Sequence, residues 1–131
     1  VREPTAEQQA LRSEVARFVD SEITPHLREW ERAGRYPTDV FARLGSLGWI
    51  GIGIPEELGG SGGGAVDRCV LFEELSRASA GVALGIYVHA VLAAGALALV
   101  ASDELRDEVL PGVLSGETIG AWAYAEPDAG A

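Results

Sequence analysis

From Ala80 to Ala101 the chain reads AGVALGIYVHAVLAAGALALVA, and His89 is its only strongly polar side chain. A run so long and so apolar must be shielded from water along much of its length, either by a protein core or by a bilayer. Most of it is Ala and Gly, which gain little from lipid, and no cluster of Lys or Arg and no aromatic belt flanks it. It is also not a signal peptide, which would sit at the amino end behind a basic stretch. The run is therefore read as a buried helix that the rest of the chain must surround.

The rest supplies helices. Thr5 followed by Gln8 makes a capping box, and Leu11, Val15, Phe18 and Val19 fall on one face of a helix of about four turns. Thr24 and Pro25 suit a second start, as N-cap and first helical residue, with Leu27 and Trp30 carried to a stop at Gly34. Pro37 and Thr38 open a third helix through Val40, Phe41 and Leu44, closed by Gly48. AVDRCVLFEELSRAS is a fourth, with Glu73 and Arg77 spaced for an i,i+4 ion pair. Beyond the apolar helix, Ser102 caps a sixth, with Asp103 and Glu104 on the favourable end of its dipole and Leu105 and Val109 inward. Short connections make sequential helices antiparallel neighbours. The expected class is all-α: an up-and-down bundle of about six helices.

Only ETIGAWAYA reads as a strand, and it lies at the carboxy end with nothing after it to pair with. A strand without a neighbour leaves a row of backbone groups unpaired. The expectation is that this chain is the first part of something larger.

Composition narrows the function. The apolar fraction of 47% and charged fraction of 23% are those of an ordinary globular protein. A net charge of −10 argues against nucleic-acid binding, which draws on clustered cations. All ten positive charges are Arg, so a P-loop, which needs its Lys, is excluded. The single Cys69 allows neither an internal disulfide nor a cysteine-based metal site, and a reducing cytoplasm fits best.

Local motifs give no catalytic centre. Gly60, Gly62 and Ala65 match G-x-G-x-x-A, but PEELG separates them from any strand and no acidic residue follows at the required distance, so the stretch is read as a glycine-rich surface loop. His26 and His89 are far apart, and neither has a second His one turn away. His89 is read as a satisfied core or pocket-wall histidine, His26 as part of a solvated turn. Glu73 and Glu74 point about 100° apart on a helix, too far for one acid/base pair. No Ser sits in a nucleophile elbow.

Three ordered stretches carry a resemblance. TAEQQALRSEVARFVDSEITPHLREWERAGRYPTDVFARLGSLGWIGIGIPEELGGSG, then LFEELSRASAGVALGIYVH, then DELRDEVLPGVLSGETIGAWAYAEP resemble the amino-terminal domain of the flavin-dependent acyl-CoA dehydrogenases over nearly the whole chain. The resemblance implies a helical domain over 1–117 and, over 118–131, the start of the middle β domain, whose first strand the chain would enter and leave unfinished. Val1 in place of Met points the same way.

What the resemblance implies chemically is α,β-dehydrogenation of an acyl thioester, with FAD taking the β-hydrogen as hydride while a carboxylate removes the α-proton. That carboxylate belongs to the family's carboxy-terminal domain, so no catalytic residue is expected among these residues and the fragment alone should be inactive. The implied partners are acyl-CoA or a related thioester, further dehydrogenase subunits in a homo- or hetero-oligomer, and electron-transfer flavoprotein as acceptor. Val88, Val91, Leu92 and Gly95 are expected along the acyl cavity, with plain helix packing as the other reading of each. Trp122, Tyr124, Ala125 and Ala131 are expected at the flavin, Ala131 also near the substrate.

At that edge the sequence departs from the family pattern. Ala125 stands where a flavin-bonding hydroxyl is usual, Tyr124 replaces a smaller apolar residue, Asp128 replaces Gly, and Ala131 replaces Ser. Each lost hydroxyl costs a polar ligand about 1 kcal/mol. Three readings follow: part of an active dehydrogenase; a flavin-poor subunit that assembles with an active partner; and, last, a stand-alone helical interaction domain.

Overall fold

The structure is a computed structural model, described here for residues 3–128. Helix α1 (Ala6–Phe18) starts at the expected capping box: Thr5 Oγ1 accepts the Gln8 N–H and Gln8 Oε1 accepts the Thr5 N–H. It runs on through a π-helical turn, Val19–Ile23, into a 3₁₀ turn, Thr24–His26, and then α2 (Leu27–Ala33). Thr24 makes no side-chain cap there, because the chain arrives already helical and leaves no bare N-terminus to cap. Gly34 stops α2 in the left-handed region, as expected.

Helix α3 (Asp39–Ser46) precedes the glycine-rich loop, which carries no strand and whose Gly59, Gly62 and Gly63 take positive φ, consistent with a turn-rich surface loop. Then come α4 (Ala65–Ala78), α5 (Ala80–Tyr87), a π-helical turn Val88–Ala93, α6 (Ala94–Val100) and α7 (Asp103–Ser115). Ser79 and Ser102 cap α5 and α7 by accepting the N–H groups of Val82 and Leu105.

Helix α1 packs on α4, α4 on α5, α6 on α7, and α3 across α7. The core gathers Val15, Val19 and Ile23 from α1 and its extension, Phe41 and Leu44 from α3, Leu71 and Leu75 from α4, Ile86 from α5, and Leu110 and Val113 from α7. The segment Ala80–Val100 is long and apolar enough to cross a membrane by composition and length, but its inner face, including Ile86, His89, Ala90 and Ala94, is buried in this core. The α3–α7 crossing depends on Gly116, which ends α7 at φ 77° and where a Cβ would lie 2.3 Å from the Phe41 carbonyl carbon.

Three sequence expectations need amendment. Arg77 pairs with Glu74 at 3.1 Å and with Asp20 at 3.0 Å, and Glu73 pairs instead with Arg12. Arg12 also holds Glu74 at 2.8 Å, so α1 lying beside α4 takes both carboxylates and redirects Arg77. Leu105 is half-exposed, and the fully inward residues of α7 are Leu110 and Val113. ETIGAWAYA makes no ladder within the described residues; it leaves α7 as irregular extended chain, because the bundle offers no strand beside it.

Candidate functional site

A π-helical turn, Val88–Ala93, interrupts the long apolar helix. A π turn holds one more residue than an α turn, so residues beyond it are rotated by about 100° relative to an unbroken helix. Val88–Ala93 carries His89 inward at 0% exposure. Ala93, the last residue of the turn, and Ala96, Leu97 and Val100 beyond it line an apolar cleft of about 490 Å³. Leu105, Val109 and Val113 of α7 form the opposite wall, and Thr118, Gly120, Ala121 and Trp122 close one end.

His89 lies behind this cleft and bonds two residues that line it, Val113 and Gly120. Its Nδ1 accepts the Gly120 N–H at 3.0 Å, which leaves Nε2 as the protonated nitrogen, donating to the Val113 carbonyl at 3.0 Å. Phe41 of α3 meets the imidazole edge to face, with centroids 4.8 Å apart. Burial lowers the His89 pKa, and the bond to Val113 opposes that shift only in part. The ring is thus a neutral group with both nitrogens satisfied, as expected of a satisfied core or pocket-wall histidine; among the described residues no group of three or more His, Cys, Asp or Glu could hold a metal.

Val88, Val91, Leu92 and Gly95 all lie half-buried on the neighbouring side of the same helix, and a side chain at Gly95 would meet nothing within 4 Å. They stand beside the cleft, not in its lining. Trp122 lines it and is 46% exposed; Tyr124 and Ala125 follow, exposed, beyond its mouth. Ala131 lies outside the described residues. The cleft residues not singled out in the sequence were Ala93, Ala96, Leu97 and Val100, which follow His89 at helical spacing on the face next to Val88, Val91, Leu92 and Gly95. The pairing of small residues Ala93 and Gly120 was the available signal, but it becomes readable only with both in place.

A second groove, about 410 Å³, lies between α2 and the start of α5, lined by Trp30, Glu31, Arg35, Tyr36 and Val82 among others. It carries opposite charges on its rim and does not reach the carboxy-terminal segment.

Comparison with known proteins fixes the family. The family described as "Acyl-CoA dehydrogenase, N-terminal domain" matches residues 5–117. The chain belongs to this acyl-CoA dehydrogenase amino-terminal domain family. Among curated relatives of this dehydrogenase domain, the mitochondrial isovaleryl-CoA dehydrogenase of Solanum tuberosum is 37% identical over 94% of the chain and 30% of its own length. Among solved structures, a probable acyl-CoA dehydrogenase from Mycobacterium abscessus superposes with a TM-score of 0.86 at 38% identity, covering 96% of this chain and 34% of that one. The electron transferring flavoprotein structure of Acidaminococcus fermentans gives 0.89 at 26% identity, covering 99% and 34%. The chain therefore spans about a third of the length of these relatives.

Proposed function

We propose that this chain is the amino-terminal part of a flavin-dependent acyl-CoA dehydrogenase, with a helical domain over 1–117 and the start of a β domain over 118–131. The observation that carries the reading is an apolar cleft, without an ionisable group in its lining, that opens beside Trp122 in a chain of this family. Such a surface suits a saturated acyl chain: it offers contact along the methylene groups and excludes water from them. Val88, Val91, Leu92 and Gly95 would extend that wall along the helix, and the α-proton would be taken by a carboxylate outside these residues.

The terminal segment fits the edge of a flavin through its main chain and its aromatic faces. Trp122 and Tyr124 are exposed, and the described residues give the backbone of residues 121–125 no hydrogen-bond partner. FAD, when bound, supplies the acceptor for the β-hydrogen; this chain would hold its rim through Trp122, Tyr124 and the main chain at Ala125. Acyl-CoA or a related thioester as substrate, further dehydrogenase subunits, and an electron-transfer flavoprotein as acceptor belong to the same reading, which the similarity to the Acidaminococcus flavoprotein structure supports. A cytoplasmic, reducing setting is part of it, supported by the lone exposed thiol of Cys69.

One observation favours a second reading. Ala125 has no hydroxyl for the flavin, as expected of a flavin-poor subunit that assembles with an active partner. A chimera separates the two: residues 1–128 replace the aligned part of the Solanum tuberosum enzyme, and flavin absorbance and acyl-CoA-dependent dye reduction are measured. A yellow, active chimera supports the dehydrogenase. A colourless one that regains colour on Ala125→Thr supports the flavin-poor subunit, and a folded chimera that is colourless in both forms sinks the dehydrogenase reading.

A further inference from the structure

The His89 ring touches three parts of the molecule that the sequence separates widely. It grows from the π turn, donates to the Val113 carbonyl near the end of α7, and accepts from Gly120, while Phe41 of α3 seals it from the other side. Between α7 and Trp122 the chain is otherwise tied by the Thr118 N–H to the Gly112 carbonyl at 2.9 Å and by the Glu117 N–H to Ser115 Oγ at 3.4 Å. Gly120 is the last backbone amide with a hydrogen-bond partner before Trp122 among the described residues. The segment that closes the cleft therefore takes its final bearing from an imidazole nitrogen.

We infer that His89 is a positioning residue: its Nδ1 fixes Gly120, and through Gly120 it sets where Trp122 closes the apolar cleft and where the following segment departs. A buried histidine that only filled volume could be replaced by an apolar side chain of its shape without moving Gly120. Here the two nitrogens face two different carriers, and each can be removed separately. Asn at position 89 retains an acceptor at the δ position and loses the reach to Val113; Gln retains a donor at the ε position and loses the acceptor that faces Gly120. The relevance of this to catalysis rests on the cleft being the acyl site, but the anchoring itself does not.

The test is amide hydrogen exchange and nitrogen NMR on the 131-residue chain. In the unaltered chain the His89 ring should carry its proton on Nε2, with Nδ1 coupled to the Gly120 amide; a ring protonated on Nδ1 overturns the inference without any variant being made. Gly120 exchange should then quicken about tenfold in His89→Gln and His89→Leu, the scale of one lost hydrogen bond, while His89→Asn stays within about threefold. Trp122 emission should shift to the red in the same two variants, read with Trp30 and Trp49 replaced by Phe. Equal exchange in Asn and Gln variants, or a Gly120 amide already open in the unaltered chain, overturns it. Neither readout involves flavin or thioester, so a colourless chimera would leave this result standing, and an open Gly120 would leave the dehydrogenase reading standing.

Discussion

Gly120 lies so close to Ala93 that a Cβ on it would stand 2.6 Å from the Ala93 Cβ. No pair of side-chain carbons tolerates that distance, so Gly120→Ala must push the segment carrying Trp122 off the helix or distort the π turn beneath it. The expected cost is about 1–3 kcal/mol in urea denaturation, the usual range for overpacking at a close contact. Ala93→Gly removes the other half of the clash and should recover part of the loss, a coupling that a double-mutant cycle measures directly.

His89 makes folding pH-dependent in a defined direction. Its folded pKa is lowered by burial, with the Val113 bond opposing and no charged side chain contributing, whereas the unfolded ring titrates near its ordinary 6.5. Below that value the unfolded chain takes up a proton that the folded chain resists, and protonation would also abolish the acceptor facing Gly120. Stability should be full above pH 6.5 and should decline as pH falls below it, with a slope of at most about 1.4 kcal/mol per pH unit from this group. Urea midpoints measured from neutral pH down to the onset of carboxylate titration should show the decline, and His89→Leu should flatten it.

The bundle was legible because its signals are local. The Thr5–Gln8 box, the Val15 and Val19 stripe, the stop at Gly34 and the Ser102 cap each depend on residues within a turn or two of one another, and each recurs in the structure. The family resemblance added the direction of function. What the sequence did not single out is the cleft face of this helix: Ala93, Ala96, Leu97 and Val100 fall at i+4, i+7, i+8 and i+11 from His89, on the face next to the expected stripe, and a small apolar lining reads in sequence as ordinary core. The Arg77 pairing was missed because its i,i+4 partner was claimed by Arg12 from another helix.

Tyr36 ties the loop before α3 to α5. Its hydroxyl donates to the Val82 carbonyl at 2.5 Å, its ring stacks on Phe41, and burial pushes its pKa up to about 12. In a spectrophotometric titration one of the three tyrosines should therefore ionise late. Because the folded state keeps this proton where the unfolded state has lost it, stability should fall as pH rises from the ordinary value of 10 toward 12. Tyr36→Phe should remove the late phase and cost about 1 kcal/mol at neutral pH through the lost hydrogen bond.

The reach of the apolar cleft can be tested at Ala96, which lines it from α6 opposite Leu105 and Val109. Phe at this position would project a ring into a space of about 490 Å³. If an acyl chain lies there, the ring takes the volume that its distal methylenes need, and each excluded methylene forfeits about 0.8 kcal/mol of burial. In the chimera, Ala96→Phe should raise KM for long acyl thioesters roughly tenfold or more while leaving short ones within about twofold, since two displaced methylenes suffice for the first effect. Flavin content should not change, because Ala96 lies on the helix wall and not on the Trp122–Ala125 segment. A uniform loss across all chain lengths would instead mean that the cleft is closed by protein in the complete enzyme, and that the acyl chain runs along Val88, Val91 and Leu92.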